Sequence, residues 1–157
     1  MSGNVKVFRA DQSRLSDLAE LRYRWRSEEG GEEGGGIEDF AARFRSWYAD
    51  HTTSHLGYLL TVDDVPVGCA WLVVIDRIPG PEIFERRAGM VQSVFLLPKY
   101  RSQGLGVSLM RQLIEDARSM GLSYLLMHPS KESFSFYQRL GFENAQRALE
   151  LRFDLTK

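Results

Sequence analysis

The sequence is poor in cysteine. Cys69 is the only one among 157 residues, which excludes a disulfide framework within the chain. With three histidines and that single thiol, no Cys/His cluster has zinc spacing, so no metal is expected. A basic surplus is also lacking: 20 Lys and Arg stand against 21 Asp and Glu, a net charge of -1. A general nucleic-acid binder shows the opposite balance, so no nucleic-acid partner is expected. No apolar run approaches the ~20 residues needed to span a bilayer, and the opening MSGNVKVFRADQ holds no apolar stretch of the kind a secretory leader needs. The expectation is a cytoplasmic chain with no membrane partner.

The length suits one compact domain over residues 1–157, of α/β class. Val5 to Ala10 alternates and predicts a first strand. Asp11, Ser13 or Ser16 can cap the helix that follows over 14–28, where Leu15, Leu18, Leu21 and Trp25 recur at helical spacing. Gly30 to Gly36 holds five glycines in seven residues and predicts a loop. Ile37 to Tyr48 is a second amphipathic helix. His55–Val62 and Pro66–Val74, joined by Asp63-Asp64, read as a hairpin, with a loop over 77–89 and a strand over Met90–Leu97. A longer helix begins near Gly104 and ends at Gly121, placed as its C′ residue. Ser123–Met127 is a short strand, Phe134–Leu140 a short helix closed by Gly141, and Leu149–Leu155 alternates as a last strand. The order is β-α-α-β-β-β-α-β-α-β, a mixed sheet with flanking helices.

The seam between the strand closed by Pro98 and the long helix reads Tyr100-Arg-Ser-Gln-Gly-Leu-Gly-Val-Ser-Leu-Met110. A helix N-terminus leaves up to four N–H groups unpaired and carries about half a positive charge. Glycines at 104 and 106 let a bulky anion approach those groups, and Arg101 adds a planar donor fork. The arrangement suits a pyrophosphate. It is not a P-loop, since no Lys follows Gly106, nor a dinucleotide fingerprint, since Leu109 stands where a third glycine belongs. The pattern present is Arg-x-x-Gly-x-Gly.

On these residues, and on Ser133-Phe-Ser-Phe-Tyr-Gln-Arg-Leu-Gly-Phe142, the sequence resembles the GNAT superfamily of acyl-CoA-dependent N-acyltransferases. The second block is similar to that family's Phe-Tyr-x-x-x-Gly-Phe signature. The gap between the blocks fits one helix and one strand, and the element order outside them matches. The resemblance implies a mostly antiparallel sheet with two splayed central strands. It implies acetyl-CoA as cosubstrate, its pantetheine arm lying along the backbone of Phe95, Leu96 and Leu97. The pyrophosphate would sit on the N–H groups of Gln103, Gly104, Leu105, Gly106 and Val107 near Arg101, with hydroxyl contacts from Ser102 and Ser108. Phe136 would lie beside the cofactor. Tyr137 matches the tyrosine that protonates the departing thiolate.

The remaining residues keep two readings each. Ser130 stands where relatives carry an asparagine that touches the cofactor arm, or else it caps the short helix. The strand Met90–Val94 has no carboxylate to serve as base, so Gln92 or Ser93 can only position a water. Glu38, Glu82, Glu85 and His128 are the candidate bases; imidazole is the side chain that titrates nearest neutrality. Cys69 reads as a small core residue rather than an acyl carrier. Glu28, Glu29, Glu32 and Glu33 read as a solvated acidic linker or as a lure for a cationic amine. Trp25, Trp47 and Trp71 read as core. The leading function is transfer of an acetyl group to a small-molecule or peptide amine by direct attack in a ternary complex. A non-catalytic acyl-CoA-binding module is the alternative, and a nucleotide-binding regulator a third. A homodimer is compatible with the final alternating strand, which is able to pair or exchange across subunits.

Overall fold

The computed structural model describes residues 3–28 and 36–154. Five strands form one sheet in the order β1-β2-β3-β4-β5. They are β1 (Val5–Arg9), β2 (His55–Val62), β3 (Val65–Arg77), β4 (Arg86–Leu96) and β5 (Leu125–Leu126). The first four are antiparallel neighbours, and β5 lies parallel to β4. Helices α1 (Leu15–Glu28) and α2 (Gly36–Ala49) cover one face; α3 (Leu105–Ser119) and α4 (Phe134–Arg139) cover the other. No helix among the described residues is long and apolar enough to cross a membrane.

Both faces are buried, which explains why β2 and β3 read as near-continuous apolar runs rather than strict alternation. Tyr58, Leu60 and Leu72 point toward α3; Leu59, Cys69 and Trp71 point toward α1 and α2. On α3, Leu109, Met110 and Leu113 are fully buried, each contributing about 2 kcal/mol through apolar area removed from water. Gly121 ends that helix at φ +75°, and the Leu122 N–H returns to the Ala117 carbonyl, as expected for a C′ glycine. Asp11 caps a single 3-10 turn over Gln12–Arg14, its carboxylate accepting from the Ser13 N–H.

Three expectations are corrected. The loop placed at 77–89 is shorter, spanning 78–85: β3 continues to Arg77 and β4 begins at Arg86, the two pairing through Arg77↔Arg86. Charges there masked a ladder whose arginines can lie along the sheet's exposed end. The strand placed at 123–127 is shorter, Leu125–Leu126, although the Ser123 N–H donates to the Arg87 carbonyl and the Gly89 N–H to the Tyr124 carbonyl, each at 2.9 Å. The last strand, placed at 149–155, is not formed. Residues 149–154 are exposed and join no strand of the sheet, and Leu155 lies outside the described residues. Alternation marks a segment able to pair, but a strand exists only where another edge accepts its hydrogen bonds.

One irregularity positions everything that follows. Between Cys69 and Trp71 the β3–β4 register shifts, and Ser93 takes φ +54°. This is a β-bulge, with one extra residue in β4. Side chains alternate with period two, so one inserted residue flips those beyond it. Val91 packs toward α3, while Phe95, four residues on, packs on the opposite face against α1. Pairing of β4 with β5 stops at Met90, yet pairing with β3 continues to Leu96. The two central strands therefore part beyond Met90.

Candidate active site

The parting strands open a cleft of about 290 Å³. Its walls come from four places: Trp25 on α1, Met90–Val94 on β4, Met127–Ser130 after β5, and Ser133 and Tyr137 at α4. Among the described residues that line it there is no carboxylate, and His128 is its one basic side chain. Glu85 sits instead against Asp76, Arg86 and Arg87, at the opposite end of β4. Glu82 and Glu38 do not line the cleft either. Gln92 faces the cleft, where its amide donates to the Met90 sulfur at 3.2 Å.

Beyond the cleft, the chain makes a 3-10 turn over Pro98–Tyr100 and enters α3 through two left-handed residues, Ser102 (φ +61°) and Gly104 (φ +80°). Gly104 is the N-cap and offers no side chain to close the helix. The first helical bond, from the Ser108 N–H to the Gly104 carbonyl, spans 3.4 Å. The N–H groups of Leu105, Gly106 and Val107 thus have no intrahelical acceptor. A Cβ built on Gly104 would meet nothing within 4 Å, so the approach to these donors is open. Gly106 serves another purpose as well. A Cβ there would lie 3.2 Å from Phe136 Cζ, so the missing side chain lets α4 pack on the start of α3. Ser102, Gln103 and Ser108 are exposed around the same turn, and the Gln103 amide donates to the Lys99 carbonyl at 2.9 Å.

Arg101 is not a free anion fork. Both of its terminal nitrogens pair with the Glu28 carboxylate, at 2.9 and 3.0 Å, and its Nε donates to the Leu96 carbonyl at 2.9 Å. Its guanidinium lies 5.5 Å from the centre of the Phe95 ring. Arg101 fastens the end of α1 to the end of β4. Glu28 is its partner, and Glu29, Glu32 and Glu33 lie outside the described residues, as do Gly30, Gly31, Gly34 and Gly35. Leu97 is likewise engaged: its N–H donates to Val67 and its carbonyl accepts from Tyr100, each at 2.9 Å. Phe95 is buried opposite Cys69, and Leu96 pairs across from Gly68.

Tyr137 is 7% exposed and stands edge-on to Phe136 and Phe142, with ring centres at 4.9 and 5.8 Å. Its backbone carbonyl accepts from Phe142 N–H as Gly141, at φ +105°, closes α4. The signature's glycine and second phenylalanine therefore fix the tyrosine from behind. Burial pushes its phenol up to about 12, so it stays protonated at any working pH. A phenol held protonated in this way is suited to donating a hydrogen bond.

Ser130 is the N-cap of a 3-10 turn but makes no side-chain cap bond; its hydroxyl meets Ser133 Oγ at 2.8 Å. Cys69 is 1% exposed, and burial pushes its thiol up to about 12. That supports the core reading and leaves too little thiolate for acyl transfer. Trp71 is core and Trp47 is exposed. Trp25, also read as core, stacks on Phe95 at 5.7 Å and forms a cleft wall. Trp25 continues the apolar stripe of α1, so its spacing carried no signal of a second role.

These features agree with what the chain is similar to. A family model described as the acetyltransferase (GNAT) family matches residues 16–142. A glucosamine 6-phosphate N-acetyltransferase of Trypanosoma brucei brucei is 37% identical over 70 residues, 45% of this chain and 46% of that protein. The chain spans about half the length, or less, of the curated relatives it matches. The structure of a Clostridium acetobutylicum predicted acetyltransferase, solved with acetyl-CoA, superposes with a TM-score of 0.76 at 19% identity, covering 95% of this chain and 96% of that one. A Trypanosoma brucei acetyltransferase gives 0.72 at 24% identity, over 96% of this chain and 100% of that one. The chain belongs to the acetyltransferase (GNAT) family.

Proposed function

We propose that the chain transfers an acetyl group from acetyl-CoA to a primary amine within a ternary complex. The observation that carries this reading is the continuity of three features: the unpaired edge of β4 beyond Met90, the open N–H groups at the start of α3, and the buried Tyr137 between them. When bound, acetyl-CoA supplies the activated acyl carbon, which the amine attacks as CoA thiolate departs.

The N–H groups of Gln103, Gly104, Leu105, Gly106 and Val107 hold the pyrophosphate, and Ser102 and Ser108 add hydroxyls at the rim. Arg101, spent on Glu28 and Leu96, shapes the turn and contributes its field rather than its fork. Backbone groups of Phe95 and Leu96 accept the pantetheine as an added strand, with Leu97 closing the register. An N–H on β4 polarises the thioester carbonyl. Phe136 and Ser130 flank the arm. Tyr137 donates to the leaving sulfur. His128 takes the proton that the amine sheds, directly or through a water held by Gln92, because a protonated amine cannot attack. Proximity supplies much of the remaining rate.

A cleft without a lining carboxylate favours a second reading, a non-catalytic acyl-CoA-binding module on the same fold. Calorimetric titration with acetyl-CoA, followed by thiol release across a panel of amines, separates the two. Glucosamine 6-phosphate belongs in that panel because a relative is named for it. Acceptor-dependent thiol release is the expected result. Tight binding with no release on any amine leaves the binding module, and no binding overturns both.

A further inference from the structure

Arg22 stands at the junction of two hollows. It is half-buried on α1, and its guanidinium lies 5.0 Å from the centre of the Trp25 ring. Trp25 is a wall of the cleft, while Arg22 lines a second hollow of about 470 Å³ between α1 and α2, together with Phe40, Arg43, Phe44 and Trp47. The charge of Arg22 also reaches inward to Cys69: burial pushes that thiol up, and Arg22 pulls it the other way. Among the described residues Arg22 has no hydrogen-bond or ion-pair partner. The other arginines nearby are engaged, Arg101 with Glu28 and Arg43 with Asp39 at 4.0 Å. A half-buried guanidinium has given up hydration here with no carboxylate in return. A cation over an indole face is held without spending its N–H groups on an acceptor, so the donor fork stays free.

We propose that the acceptor is an amine that carries a carboxylate or phosphate group elsewhere in the molecule, and that Arg22 binds that group while the amine lies in the cleft. The inference rests on the transferase reading of the cleft and names its substrate class. Trp25 stands between the cleft and the guanidinium, so the anion must be several bonds from the amine. Phe40, Phe44 and Trp47 offer apolar contact to the rest of the molecule, and Arg43 adds a second positive charge. A guanidinium fork meets a carboxylate or phosphate through two parallel N–H bonds. Arg22 would therefore set specificity and take no part in the transfer itself. An acidic lure for a polycationic amine is the opposite arrangement. Glu28 is already spent on Arg101, and among the described residues no carboxylate lines either hollow.

Two matched pairs of amines test this: glucosamine 6-phosphate against glucosamine, and γ-aminobutyrate against its amide. Calorimetric binding to the CoA-loaded chain and thiol release from acetyl-CoA are both read. The anionic member of at least one pair should bind at least tenfold more tightly than its neutral partner, and the pair that responds tells phosphate from carboxylate. Arg22→Gln should erase that preference, raising KM for the anionic amine while kcat and CoA affinity hold. Arg22→Lys keeps the charge and loses the fork, so it should restore part of the preference; it also serves should the glutamine variant fail to fold. Equal binding within both pairs, or none, overturns the proposal, whether or not thiol is released. So does a preference that survives Arg22→Gln. Arg22-dependent binding of an anionic amine without thiol release would support the anion site and overturn the transferase reading instead.

Discussion

The two halves of the proposed site are built of different materials. The half proposed for the cofactor, beyond the cleft, is backbone: N–H groups at the start of α3, a strand edge, and glycines whose lack of a side chain is the point. The half proposed for the acceptor, the cleft itself, is side chains drawn from α1, β4, the loop after β5 and α4. A backbone site constrains where Cβ atoms may stand, so it leaves a spacing in the sequence. A side-chain site assembled from four distant segments leaves none. Substitutions should therefore act on affinity in one half and on turnover in the other.

The largest effect is expected at Gly106→Val. Its Cβ would press on Phe136 and its branch would crowd the open N–H groups. Affinity for CoA should fall about a hundredfold, roughly 2.7 kcal/mol by calorimetry, with a lowered melting temperature. Retained affinity would break the comparison, because the cofactor half would not depend on absent side chains.

Tyr137→Phe should cut turnover at least tenfold, about 1.4 kcal/mol of barrier, and leave the CoA dissociation constant in place. An unchanged rate would remove Tyr137 from the chemistry. His128→Gln should lower kcat severalfold, with CoA affinity unchanged. An unchanged kcat would assign the base to another group or to solvent.

Glu28→Gln should be milder. It removes an exposed pair that contributes at most about 1 kcal/mol to stability, and it frees the Arg101 fork for the pyrophosphate. CoA affinity should rise slightly at low salt; a fall would show that the pair's positioning of the turn outweighs the freed charge. Cys69→Ala should be smallest, with turnover unaltered. The native thiol, pushed up to about 12 by burial, should resist alkylation at pH 8 until the chain unfolds, since thiolate forms only as pH rises toward that value. Rapid native labelling would contradict the buried placement.

Much of this was legible in the residues. Glycines and prolines punctuate the chain at Pro98, Gly104, Gly121 and Gly141, and the helices and the turn between them fall where those residues put them. Tyr137 was legible because its neighbours form a local signature. The Ser93 bulge was not, because serine carries no strong preference for φ +54° and the inserted residue is defined only against β3. Nor was the Arg101–Glu28 pair, whose members lie 73 positions apart. The segment 149–154 misled for the same reason, since its alternation says nothing of which edge would accept it.

By itself, the sequence determined the order of the elements as far as α4 and the glycine-marked entry to α3. Each depends on φ/ψ preferences and on side chains missing within a few residues of one another. Only the tertiary structure decided that β4 parts from β5, that Arg101 is tied to α1, and that His128 is the basic group lining the cleft. Those outcomes depend on which distant surfaces bury each other, and no local preference encodes that choice.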